Sequence, residues 1–270
     1  MREITVAVVQ MQPQLSEVSD NLRRVSEFVD TICREQPADL IVFPELITTG
    51  YECGVSFTDL AEKVPGHTSN VLSQQAASYS THIVFGLPVK EKVESILYNA
   101  VVMVGPDGEL VGEYRKTHLR GEERMAFRAG FRYPVLETAF GPVGLMVGWD
   151  LAFPEVARSL ALDGAEIICL CASWELPFVE EWRALVLARG FENSVFLAAA
   201  NRIGSEPSYT FAGQSAIVGP RGEILSSMDQ IAEGYAVIKI DLDEVRRTRE
   251  EHQLFQLRQP ITYRSLVRRY

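Results

Sequence analysis

The five-residue turn Gly-Pro-x-Gly-Glu occurs twice in the chain, at 105–109 and at 219–223, each time between two short apolar runs. Proline presets the first corner of a turn and glycine accepts the conformation that closes it, so each copy reads as a hairpin. The first joins Asn99–Val104 to Glu109–Tyr114, and the second joins Ser215–Val218 to Glu223–Ser226. Around them, strands and helices alternate. Ile4 to Gln10 is strand-like, and Val18, Leu22, Val25, Val29 and Ile32 recur at the spacing of one helical face through about Gln36. Leu40 to Phe43 is a continuous apolar run of the kind buried on both faces. Further helices are expected near Phe57–Val64, Asn70–Ser80, Val156–Asp163 and Phe178–Asn193. Further strands are expected over His82–Leu87, Val143–Val147, Ile167–Cys171, Val195–Asn201 and Tyr235–Leu242. Two halves, each with one hairpin, predict an α/β protein of two sheets packed face to face with helices outside.

Composition narrows the function. At 270 residues, with 47% hydrophobic and 23% charged residues, the chain suits one large domain over 1–270. No run approaches a membrane span and no signal-peptide pattern precedes the first strand, which predicts a cytoplasmic protein without membrane contact. A net charge of -10 opposes binding to nucleic acid, which needs clustered cations to release counterions. Cys33, Cys53, Cys169 and Cys171 lack CxxC spacing and sit among apolar neighbours, so they read as buried reduced thiols. The four histidines are scattered, and neither a metal nor an organic cofactor is expected. From Asp243 to Tyr270 the chain is charged and helical, then irregular, in the manner of a tail at an oligomer interface.

The chemistry concentrates at Gly144–Arg158, GLMVGWDLAFPEVAR. An apolar strand meets a sharp turn, and Pro154 then opens a helix with Glu155 in its first turn, where the helix dipole favours a carboxylate. Strand, tight turn and helix is the layout of a nucleophile elbow, whose end residue is held in a strained conformation. That residue is Gly148, which has no side chain to attack with.

This segment resembles the elbow of the nitrilase superfamily, the carbon-nitrogen hydrolases, in which Cys-aromatic-Asp is followed by Phe-Pro-Glu and an Arg. Trp149, Asp150, Phe153, Pro154, Glu155 and Arg158 match in register, and Gly148 stands where the resemblance implies the nucleophilic cysteine. It also implies a four-layer α-β-β-α sandwich, pairing into a homodimer or larger even oligomer. Phe43-Pro44-Glu45, followed by Gly50-Tyr51, matches the segment carrying the general base, so the resemblance makes Glu45 that base; read alone, it would be a capping or paired carboxylate. Lys116, in its Lys-x-x-Leu context, is implied as the cation that stabilises the oxyanion, against a plain reading as a solvated edge. A second glutamate is Glu122 or Glu123, with spacing to Phe127 and Gly130 favouring Glu123. Tyr51, Trp149, Trp174 and Glu122 are candidates to line the substrate pocket, Trp174 being equally readable as packing. Sharing one pocket, Glu45 should titrate above its ordinary range or Lys116 below its own.

The resemblance implies an amidase acting on a small amide or carbamoyl compound, Asp150 favouring those branches over nitrile hydrolysis. Three readings of Gly148 stand beside it: an introduced replacement in an active amidase, a natural relative that keeps the pocket as a binding module, or acid-base chemistry without a covalent step. The first leads, because the other pocket residues are all in place.

Overall fold

The computed structural model of the protein describes residues 1–92, 96–229 and 231–268. Its elements run β1 (Glu3–Gln10), α1 (Val18–Glu35), β2 (Leu40–Val42), α2 (Phe57–Leu60), α3 (His67–Tyr79), β3 (His82–Lys90), β4 (Leu97–Val104) and β5 (Leu110–Arg115). Then come α4 (Glu123–Ala126), β6 (Val135–Leu136), β7 (Val143–Val147), α5 (Pro154–Leu162), β8 (Ile167–Ala172), α6 (Val179–Asn193) and β9 (Phe196–Asn201). The chain closes with β10 (Ile203–Ser205), β11 (Thr210–Ala212), β12 (Ala216–Val218), β13 (Ile224–Ser227), β14 (Gly234–Asp241) and α7 (Asp243–His252).

Among the described residues the strands form two six-stranded sheets, ordered β14-β1-β2-β3-β4-β5 and β13-β12-β9-β8-β7-β6, with β10 and β11 paired apart. Both sheets have parallel strands at their centre, β1-β2-β3 in one and β7-β8-β9 in the other, flanked by antiparallel partners. The repeated turn is the clearest sign of this likeness. Gly108 N–H donates to Gly105 O at 2.9 Å and Gly222 N–H donates to Gly219 O at 3.0 Å, and both closing glycines have left-handed φ, +80° and +79°. Only glycine holds that conformation without strain, so the two hairpins, one per sheet, follow directly from the pentapeptide.

Four layers result. Val6, Val8, Val42 and Val84 of the first sheet pack against Val143, Leu145, Val147 and Ile167 of the second. On its outer face the first sheet carries Ala7, Val9, Ile41 and Phe85 against Val25, Val29, Ile32 and Leu72 of α1 and α3. The second sheet packs Met146, Ile168, Leu170 and Leu197 against Val156, Leu160, Trp182 and Val186 of α5 and α6. Burying a strand on both faces needs unbroken apolar runs, and the central strands have them. The expected helix at 57–64 stops at Leu60, because Glu62 instead bridges to β3: its N–H donates to Pro88 O and its carbonyl accepts from Lys90 N–H. The pair β10-β11 and the two-residue β6 were not anticipated; strands of two or three residues carry too little periodicity to read.

All four cysteines are buried and free. Among the described residues, no helix is long and apolar enough to cross a membrane. Beyond α7 the chain is irregular and then makes short 3-10 turns over Pro260–Val267, with Leu257, Ile261 and Leu266 exposed; residues 269 and 270 of the expected tail lie outside the described residues.

Candidate active site

Lys116 directly follows β5, where its main-chain N–H still pairs with Asn99 O at 2.8 Å, and its side chain turns into the protein. Glu45 comes from the turn after β2. That turn hugs β3 so closely that a Cβ on Gly86 would fall 2.7 Å from Glu45 Cα, and the glycine is what permits the approach. Glu123 opens α4. The three side chains meet: Lys116 Nζ donates to Glu45 Oε1 at 2.7 Å and to Glu123 Oε1 at 2.6 Å.

All are almost wholly buried, which is tolerable only because every charge is answered. Asn99 Nδ2 donates to Glu45 at 2.7 Å and to Glu123 at 3.0 Å. The Ser173 N–H, at the exit of β8, donates to Glu45 Oε2 at 2.9 Å, and the Arg120 N–H donates to Glu123 Oε2 at 2.9 Å. Burial pushes the Glu45 carboxyl up, with Lys116 opposing and Glu123 reinforcing. Burial alone would lower Lys116, but Glu123 and Glu45 together outweigh it and raise its pKa. The expectation for Glu45 is therefore met, while Lys116 moves opposite to the depression offered as the other outcome, because two carboxylates rather than one face it.

Gly148 follows β7 with φ +42° and starts a 3-10 turn through Ala152. The elbow is thus in the left-handed region. A Cβ built on Gly148 would fall 2.6 Å from Glu45 Oε2, so the carboxylate lies where a side chain at 148 would begin. Beside them is a cavity of about 20 Å³. Tyr51, Trp149, Trp174, Arg120, Ser173 and Glu175 line it together with Glu45, Lys116 and Gly148. Trp149 and Trp174 stack with centroids 5.2 Å apart. Tyr51 is held edge-on by Tyr209 and Phe211, and burial raises its hydroxyl pKa.

Of the two candidate glutamates, Glu123 joins the network. Glu122 is exposed and lines an adjoining cavity with Tyr51 and Tyr209, so the structure removes it from the wall that holds Lys116. Four contributors went unread: Asn99, Ser173 and Arg120, and the bonding of Asp150. Asp150 accepts from Tyr114 Oη at 2.7 Å, Thr117 Oγ1 at 3.1 Å, and the main-chain N–H groups of Val147 and His118; His118 Nδ1 lies 2.8 Å from it. This carboxylate ties the turn after β7 to the strand end that carries Lys116. A buried Asp in a turn facing Tyr, Thr and His was the available signal; the pairing needed the tertiary structure.

The Glu-Lys-Glu cluster combines a carboxylate able to take a proton and an ammonium able to hold a developing oxyanion, beside a small cavity lined by Tyr51, Trp149 and Trp174. The family model for carbon-nitrogen hydrolases matches residues 5–250. A probable nitrilase of Schizosaccharomyces pombe is 41% identical over 266 residues, covering 97% of this chain and 98% of that protein. The crystal structure of a carbon-nitrogen hydrolase from Helicobacter pylori G27 superposes with a TM-score of 0.93 at 26% identity, over 99% of each chain. A cysteine-to-alanine variant of the amidase from Nesterenkonia sp. AN1, in complex with butyramide, superposes with a TM-score of 0.81 at 27% identity, over 94% of this chain and 97% of that one.

Proposed function

The chain belongs to the carbon-nitrogen hydrolase family, and from that premise we propose that its buried cluster is the amide site of an amidase whose covalent step is blocked because residue 148 is glycine. The observation that carries this reading is Lys116 Nζ bridging Glu45 and Glu123 in the lining of a small cavity that Tyr51, Trp149, Trp174 and Gly148 also line. Two of the three ammonium hydrogens are engaged, which leaves one for an amide oxygen. Glu45 is the base. With a thiol at 148, Glu45 would take its proton, sulfur would attack the carbonyl carbon, and the amine would leave with that proton; water would then cleave the thioester. The complex of the related amidase with butyramide supports a small aliphatic amide as the ligand class.

A natural amide-binding protein without hydrolysis is the second reading. It is favoured by the position of Glu45 Oε2, 2.6 Å from where a Cβ would stand, since a pocket fitted around glycine would have just that arrangement. The Gly148→Cys variant distinguishes the two. Its left-handed backbone and the displaced carboxylate should cost about 1–3 kcal/mol, and Gly148→Ala should show the same loss on chemical denaturation. Under the first reading only the cysteine variant releases ammonia from short amides, and adding Glu45→Gln abolishes it. A folded Gly148→Cys protein that is inactive, beside tight amide binding by the glycine form, selects the second.

A further inference from the structure

Lys116 Nζ and Asn99 Nδ2 share their acceptors. Each donates to Glu45 Oε1, at 2.7 Å from either nitrogen, and each to Glu123 Oε1, at 2.6 and 3.0 Å. Both amide hydrogens of Asn99 are thus committed to carboxylate oxygens. Its own Oδ1, on a side chain wholly inside the protein, accepts nothing among the described residues. An unmet buried acceptor is costly, yet the reverse orientation would press Oδ1 against two carboxylate oxygens at 2.7 and 3.0 Å. The strand fixes the residue in this place: on β4, Asn99 stands opposite Pro88 of β3, and its carbonyl accepts the Lys116 N–H.

A carboxylate oxygen has two lone-pair directions. On Glu45 Oε1 both are taken, and a proton arriving there would meet only donors, an ammonium and an amide NH2. Oε2 differs. It accepts one bond, from the Ser173 N–H at 2.9 Å, and it lies 2.6 Å from where a side chain at 148 would begin. Besides Lys116 and Glu123, the charged or titratable groups facing Glu45 are Tyr51, Arg202 and Cys171, and none of them hydrogen-bonds its carboxylate among the described residues. Resting on the reading of Glu45 as the base, we infer that Asn99 is a positioning residue: by filling Oε1 together with Lys116, it makes Oε2, the oxygen turned toward residue 148, the one that takes and returns the proton. In the Gly148→Cys protein the S–H bond breaks as the O–H bond forms at Oε2; the same proton then passes to the leaving amine and Glu45 is again a carboxylate. Asn99 also adds one donor to each of two like charges that a single ammonium serves, which favours their ionised forms.

The proton's place is read by NMR on the glycine protein without ligand, with Glu45 assigned against Glu45→Gln. As pH falls through the Glu45 titration, the Ser173 N–H should shift with the midpoint of the Glu45 carboxyl carbon, while the Asn99 side-chain hydrogens stay bonded and slow to exchange. Asn99→Leu keeps the bulk and removes both donors. It should raise the Glu45 midpoint by about one pH unit or more and shrink the Ser173 response, since Oε1 then has a lone pair free. Asn99→Ser, smaller and carrying one donor, should fall between parent and leucine variant, and it decides the matter if the latter does not fold. A role in packing alone would lower the melting temperature and leave the midpoint where it was. Asn99 hydrogens that exchange freely once Glu45 is protonated, beside a Ser173 signal that does not move, would put the proton on Oε1 and overturn the inference; so would an unchanged midpoint in a folded Asn99 variant. Butyramide added to the parent tests the amide site separately: Lys116 and Ser173 signals that do not respond end that reading, whichever oxygen holds the proton.

Discussion

Glu45 shows how one residue can be both necessary to a site and costly to the fold. Its carboxylate receives Lys116, Asn99 and the Ser173 N–H, yet burial still raises its pKa above the ordinary value of 4.5. A raised folded pKa means that the protonated form stabilises the fold fully below the unfolded value, and that this contribution is lost as pH rises through the folded one. Lys116 is also raised, from 10.5, so its contribution persists across the same range and is lost only in strong alkali. Glu45→Gln keeps the shape and cannot ionise. The stability gap between variant and parent should thus move in the variant's favour as pH rises from 4.5 toward neutrality. Urea denaturation across that range measures it, and a gap that stays flat or moves the other way would show that the three donors fully offset burial.

At the scale of elements, the site is an arrangement of strand ends. β2, β5, β7 and β8 each deliver one part, Glu45, Lys116, Gly148 and Ser173, at or just beyond the strand's last residue. What keeps the β5 and β7 ends in register is Asp150, a wholly buried carboxylate accepting from Tyr114, Thr117, His118 and Val147. Asp150→Asn would turn an amide N–H2 toward groups that are themselves donors. We expect a loss of about 3 kcal/mol on chemical denaturation, with faster amide exchange confined at first to the turn after β7. An Asn variant as stable as the parent would mean that the two strand ends are held by sheet packing alone. A comparable brace acts on the opposite wall: Glu206, paired with buried Arg202, accepts from the main-chain N–H groups of Tyr51 and Glu52, and so fixes the loop that presents Tyr51.

At the scale of the molecule, α5, α6 and the C-terminal tail enclose an open groove of about 500 Å³, lined by Phe191, Leu254, Leu257, Tyr263 and Leu266 and lying away from the Lys116 cluster. Leu257, Ile261, Leu266 and Val267 are mostly exposed. Apolar side chains gathered in one region usually mark contact with a partner, and we propose that a second copy of the chain covers them. The parent protein should then sediment as a dimer or larger even assembly at micromolar concentration. Leu257→Glu with Leu266→Glu should shift it toward the monomer. A monomeric parent would end this reading.

Much of this architecture was legible in the residues. The two Gly-Pro-x-Gly-Glu turns marked the hairpins because a left-handed glycine is a local requirement, and the helices of α1, α5 and α6 showed in the spacing of their buried faces. The resemblance to the nitrilase superfamily pointed to Glu45, Lys116, Glu123 and Gly148; read alone, Glu45 was a capping or paired carboxylate and Lys116 a solvated edge. Local sequence favoured Glu123 over Glu122 only by its spacing to Phe127 and Gly130, and it could not foresee the role of Asn99 or the partners of Asp150, or predict the raised Lys116. Those depend on which side chains the fold brings face to face, and on a balance of desolvation and charge at Lys116 to which Glu123, close in the chain, and Glu45, more than fifty residues away, both contribute. Nor could the chain's text indicate that the Glu45 carboxylate occupies the space where a side chain on Gly148 would begin, because that contact exists only once β2 and β7 have packed together.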